Sequence, residues 1–219
     1  MTPRPLLLVG AGGLAREALA AVRALPEQWL ALGALDDDPA RHGTELDGLP
    51  VLGGTELVHD HPEAAVLACV AGVRRPRGRA ELVRRLDLPP QRWATVVHPG
   101  CSLAPGVEIG VGTLLLAGTV VTAPQRIGAH VVAMPHVLLT HDDEVGDFVT
   151  LAGRATLAGG VRLGQSGYVG QCAVLKEYIS VGEAAVIGMG SVVLTDVPPG
   201  QTWAGNPARP LPTNNGQVR

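Results

Sequence analysis

A histidine followed directly by a carboxylate, His141-Asp142 in the stretch "THDDEVGDF", is a pair of residue types suited to moving a proton near neutral pH. A neutral imidazole takes the proton, and the neighbouring carboxylate orients the ring and steadies the imidazolium that forms. Eighteen residues before His141 stands Ala123 and eighteen after stands Gly159; Asp142 is flanked in the same way by Pro124 and Gly160. If eighteen residues make one turn of a coil, the imidazole has a small neighbour on one side and only backbone on the other. A base, its orienter and a bare glycine N–H that can face an oxyanion are the parts of acyl transfer. The competing readings are a solvated histidine in a polar turn and a zinc site, with His136 and His141 as two of three ligands. For the third ligand, the upstream His98 and His130 fall out of register with the eighteen-residue frame.

That frame comes from a repeat. Stepping by six from Val97 to Val193 meets seventeen positions, of which sixteen are Val, Leu or Ile, the exception being Ala133. Glycine follows at Gly110, Gly128, Gly146, Gly164 and Gly182, so three hexapeptides make one larger unit. This is the pattern of a parallel β-helix, in which three short strands form each triangular coil and the aliphatic column fills the prism. A second column of small or β-branched residues runs through Val107, Thr113, Thr119, Val131, Val137, Val149, Ala155 and Val161. His141 and His136 fall on neither column, so their side chains are expected outside the prism.

The first ninety residues follow another rhythm. Pro5 to Val9 reads as a buried strand, "GAGGLAREALAAVRAL" as a glycine turn and helix, Leu30 to Leu35 and Ala65 to Ala71 as further strands, and Arg77 to Leu86 as a helix. These elements predict a small βαβ, Rossmann-like unit. Gly10, Gly12 and Ala15 match G-x-G-x-x-A, with Asp36 at the distance of a ribose contact. So short a unit fits a phosphate or nucleotide cradle at a helix N-terminus better than a full dinucleotide fold. The basic run Arg74, Arg75, Arg77 and Arg79 reads as a solvated helix face. The expected organisation is 1–93 for the βαβ unit, 94–211 for the β-helix and 212–219 for a loose tail.

Charged residues are 17% of the chain and the net charge is −3, which argues against a nucleic-acid footprint or a polybasic membrane patch. Cys69, Cys101 and Cys172 are scattered singly, without thiolate-zinc or disulfide spacing. No apolar stretch approaches the roughly 20 residues that span a bilayer. A cytoplasmic protein without a metal, acting on a small molecule, is the expectation.

With its glycine-rich opening, "LDDDPARHGTELDGLPVLGG", "THDDEVGDF", "ATLAGGVRLG" and "VPPGQTWAGNPARPL", the chain resembles the sialic-acid O-acetyltransferase and nucleotide-aminosugar N-acetyltransferase family of left-handed β-helix enzymes. The resemblance implies an α/β unit followed by an all-β left-handed parallel β-helix, an acetyl-CoA-dependent acetyltransferase and a homotrimer. It implies His141 and Asp142 as the catalytic pair and Gly159 as the oxyanion amide, with acetyl-CoA between subunits touching Thr150, Gln171 and Met189. A sugar or nucleotide-sugar acceptor would sit on Gly12, Gly13 and Leu14, with Asp36 and Asp37 at the base and Gly72 closing the pocket. Leu14 stands where the family often has histidine. Two alternatives share the solenoid: a zinc enzyme resembling the gamma-type carbonic anhydrases, and a scaffold without catalysis.

Overall fold

A computed structural model describes residues 2–212. The first unit contains the strands β1 (Arg4–Val9), β2 (Trp29–Leu35), β3 (Glu45–Leu46), β4 (Leu49–Gly53) and β5 (Ala65–Ala68), in the sheet order β3-β4-β2-β1-β5. All pairings are parallel except β3 with β4. Helix α1 (Gly13–Arg23) and helix α2 (Gly78–Leu86) cover opposite sides. The alternation of a strand explains this: Leu6 and Leu8 point into the cluster with α1, Leu7 and Val9 into the cluster with α2, and all four are fully buried. Gly10 ends β1 at φ +103°, where an added Cβ would lie 2.9 Å from the Cys69 carbonyl oxygen, so the sharp turn into α1 requires glycine. The β3–β4 hairpin, absent from the expectation, turns on Asp47-Gly48 with both residues at positive φ, the usual Asp-Gly signal for such a turn.

From Val96 to Val193 the chain makes two-residue strands on three faces of a prism. The first face starts with Val96–Val97 and includes Thr150–Leu151; the second includes Val120–Val121, Leu138–Leu139 and Thr156–Leu157; the third includes Glu144–Val145 and Arg162–Leu163. Each strand pairs in parallel with the one eighteen residues on, as in Leu138 with Thr156 and Leu139 with Leu157. The six-residue column from Leu115 to Val193 is buried throughout, whereas Val97, Leu103 and Ile109, in the first coil, are partly covered. At the corner between the third and first faces, a Cβ on Gly110, Gly128, Gly146 or Gly164 would meet backbone of the next coil, and one on Gly182 would meet Pro199. That close rung-to-rung approach is why glycine recurs every eighteen residues.

The corners place one residue in six in the left-handed region, among them His130, His136, Asp142, Phe148 and Tyr178. The first unit packs on the outside of the first face: Leu114, Leu116 and Val132 share a core with Ala15 and Leu19 of α1. A buried guanidinium adds a second tie. Arg79 of α2, 3% exposed, donates to the carbonyl oxygens of Val70, His130, Phe148 and Val149 and to Thr150 Oγ1. The expected solvated basic face is therefore corrected at this residue, which faces the prism and not water. Arg75 and Arg77 are exposed and pair with Glu81 and Glu183. Of the expected tail, 213–219 lies outside the described residues.

Candidate functional site

His141 and Asp142 occupy the corner between the second and third faces. Both side chains are exposed, at 58% and 79%, and His141 Nδ1 lies 2.9 Å from Asp142 Oδ2. With the proton on Nδ1 donated to that carboxylate, Nε2 is the basic nitrogen. The ring leans toward the next coil and rests on Gly159, where any Cβ would overlap it. The expected notch beside the histidine exists, and the imidazole itself fills it. The Gly159 N–H donates to no partner among the described residues. One coil further on, the ring of Tyr178 lies over Gly160. That aromatic ring on the same corner was not anticipated, because its column otherwise holds turn residues.

Beneath the pair is a buried acid that the sequence reading missed. Asp143 is 2% exposed and stands in the column of small and β-branched residues, one coil above Gln125. Its Oδ2 accepts the Thr140 N–H and its Oδ1 the Val161 N–H, each at 2.9 Å, while its own N–H donates to Gln125 Oε1 at 2.9 Å. Burial pushes its carboxyl up to about 6, against the pull of those two N–H donors and of His141. Gln125 and Asp143, interrupting a column of small and β-branched residues, were the available signal.

The three residues expected at acetyl-CoA do not converge on His141 within one chain. Thr150 is a strand residue of the first face, 4% exposed, and its hydroxyl accepts from Arg79, which leaves it no outward surface. Gln171 and Met189 lie one coil apart on the corner between the first and second faces, and Met189 is 78% exposed. A ligand touching both His141 and this pair must bridge two corners, as between adjacent prisms. His136 also lies on that other corner, separated from His141 by the strand Leu138–Leu139, so the two histidines do not form a pair. Among the described residues of one chain, no group of three or more His, Cys, Asp or Glu side chains is placed to hold a metal ion.

In the first unit, Asp37, Val70, Ala71, Gly72, Arg75 and Arg85 line a cleft of ≈ 490 Å³. Gly12, Gly13 and Leu14 stand outside that lining, at the N-terminus of α1, where Cβ atoms on the two glycines would meet open space. Asp36 Oδ2 accepts the Ala11 N–H at 2.7 Å, which ties the glycine turn to the end of β2. Burial disfavours the charged form of Asp37, but hydrogen bonds from Thr55 and Arg85 outweigh it and hold the carboxyl below its usual range. Of the two aspartates expected at a base, Asp37 faces the cleft and is paired with Arg85, and Asp36 lines a small pocket that adjoins it through Asp37, Val70 and Leu82.

No family model matches the chain. WeeI from Acinetobacter baumannii AYE shares 30% identity at a TM-score of 0.79, over 94% of this chain and 99% of that one. The acetyltransferase domain of PglB from Neisseria gonorrhoeae FA1090, in complex with acetyl coenzyme A, shares 29% at 0.82, over 95% and 100%. PerB from Caulobacter crescentus, in complex with CoA and GDP-perosamine, shares 25% at 0.84, over 95% and 97%. Among curated proteins, an acyl-[acyl-carrier-protein]–UDP-N-acetylglucosamine O-acyltransferase of Thiobacillus denitrificans is 37% identical over 90 residues, 41% of this chain and 35% of that protein. A GDP-perosamine N-acetyltransferase of Escherichia coli O157:H7 is 34% identical over 123 residues, 53% of this chain and 55% of that protein. The chain spans about a third of the length of the first of these curated relatives. The fold is that of the left-handed β-helix acyltransferases. Within that class the chain belongs to the nucleotide-aminosugar acetyltransferase family.

Proposed function

We propose that the protein transfers the acetyl group of acetyl-CoA to the amino group of a nucleotide-linked sugar, in one direct step. One observation carries this reading: the imidazole of His141, oriented by Asp142, rests on Gly159, whose N–H is uncommitted. His141 Nε2 takes the proton of the acceptor nitrogen as that nitrogen attacks the thioester carbonyl. The Gly159 N–H donates to the oxyanion that develops, and the imidazolium returns its proton to the departing CoA sulfur. Asp142 keeps the ring in the tautomer with its lone pair outward. Cys69 does not enter as a nucleophile: it is buried, and burial pushes its thiol up to about 12.

A homotrimer completes the site in this proposal. The Gln171 and Met189 corner of one prism faces the His141 corner of the next, and the CoA chain lies between them. The acceptor's nucleotide lies against the first unit, with its phosphates toward the Gly12–Gly13 end of α1 and its base in the cleft by Asp37 and Gly72. The PerB complex with CoA and GDP-perosamine supports an aminosugar acceptor. The test is a panel of nucleotide-linked aminosugars, with sialic acid as the hydroxyl acceptor, incubated with acetyl-CoA while free thiol is followed. Release that requires an aminosugar and is lost in His141→Ala supports the proposal. Release with sialic acid alone replaces nitrogen by oxygen as the acceptor, and no release with any acceptor rejects it.

A further inference from the structure

The corner that carries His141 departs from the hydrogen bonding of its neighbours. On the same corner, the N–H groups of Ala104, Thr122, Ala158 and Lys176 each donate to the strand one coil on, at Val121, Leu139, Leu175 and Val193. Thr140, the equivalent residue in the His141 coil, donates instead to the Asp143 carboxylate of its own turn, at 2.9 Å. The turn closure is also rerouted. In the first coil the Val107 N–H closes back on Ala104 O at 3.3 Å, whereas the Asp143 N–H goes to Gln125 Oε1 and the Val161 N–H to Asp143 Oδ1. One carboxylate therefore holds the amide just before His141 and an amide two residues after Gly159.

Resting on the acyl-transfer reading above, we propose that Asp143 is a positioning residue that sets His141 over the Gly159 amide by bracing their two coils against each other. It does not touch the reacting atoms; it acts through Thr140 and Val161. Stability alone gives no reason for a carboxylate here. On this corner the next two coils place Val161 and Ile179 in the column, and the other corners fill it with Val131, Val137 and Val149, all of them buried. Replacing a buried charged group by an apolar one of similar size is often neutral or stabilising. Without Asp143, the Thr140 N–H is free to return to Leu157 O, as at the other coils, and the histidine turn relaxes with it.

Asp143→Val separates the two roles, because valine is the native choice one coil on. The expected result is a melting temperature equal to or above that of the parent protein. The kcat falls about 10- to 100-fold, the scale of a small misplacement of reacting groups, and KM for acetyl-CoA stays within about twofold. Asp143→Asn, with one acceptor oxygen in the same volume, keeps one of the two braces and falls between the parent and Asp143→Val. It also serves as the test should the valine protein not fold. His141→Ala runs beside both. If His141→Ala is inactive while the Asp143 variants turn over at the parent kcat, the positioning role is overturned and the acyl-transfer reading stands. If His141→Ala remains active, both fall together.

Discussion

The imidazole of His141 rests on the backbone of Gly159, eighteen residues later in the chain and one coil along the prism, at a separation no Cβ can enter. Gly159 itself is not in the left-handed region, so an alanine there meets no backbone obstacle and only the ring must move. Gly159→Ala is therefore expected to fold normally by circular dichroism and to lose at least about tenfold in kcat as the imidazole is displaced. Unchanged turnover would show that the ring need not lie over that amide.

His141→Ala removes the base without disturbing the core, since the side chain is exposed. A loss of about 10² to 10⁴ in kcat is expected with an unchanged melting temperature. Turnover within a few-fold of the parent would refute the role of the ring in proton transfer.

Arg79 joins α2 to two coils of the β-helix through four acceptors there and donates to Val70 O of its own unit. Arg79→Met leaves the carbonyls of Val70, His130 and Phe148 without that donor in a buried setting, a cost of about 3 kcal/mol or more. Lysine should rescue little, because a single ammonium cannot reproduce the guanidinium fork. Urea unfolding followed by tryptophan fluorescence measures this, and a midpoint equal to the parent's in the methionine variant would contradict it.

His130 is buried, stacked on Phe148 at 5.0 Å between ring centroids and set edge-on to Trp93 at 4.8 Å. Burial first, and the Arg79 charge second, hold it down to about 4, with Asp147 pulling the other way. As pH falls from about 6.5 to 4, the unfolded chain takes up this proton while the folded chain does not. The stability of the neutral ring is thus present above about 6.5 and lost through that window, a contribution of about 3 kcal/mol. Asp143 works in the opposite sense. Its carboxyl is raised to about 6, so its contribution is full below about 4 and lost as pH rises through 6. In His130→Asn, which keeps a side chain tolerant of positive φ, the urea midpoint should fall less between pH 6.5 and 4.5 than in the parent. Parallel pH curves for the two proteins would contradict this linkage.

The β-helix could be read in the sequence because its geometry is periodic. One inward position in six and one glycine in eighteen repeat often enough that both columns could be assigned by counting, and the phase alone put His141 outside the prism beside Gly159. The elements of the first unit could be read for a similar reason, since β1 and α1 carry their own local rhythms. The Asp47-Gly48 hairpin was also written locally but overlooked.

Contacts between separate parts of the chain followed no such rhythm. Arg79 looked like one of four solvated arginines, because nothing local reveals that its side chain reaches carbonyls about seventy residues away. Thr150 and Gln171 were expected at one cofactor, yet Thr150 is buried on the first face and committed to Arg79, while Gln171 stands at the corner beyond that face. Asp143 looked like one more acid beside Asp142, and only the stacked coils showed its two oxygens holding Thr140 and Val161. The sequence by itself determined the coil, its phase and the histidine's outward direction, since these are set by which side chains must be buried along one strand after another. The tertiary structure alone decided which buried polar groups meet, because a hydrogen bond depends on distances of a few tenths of an ångström between segments that share no local pattern.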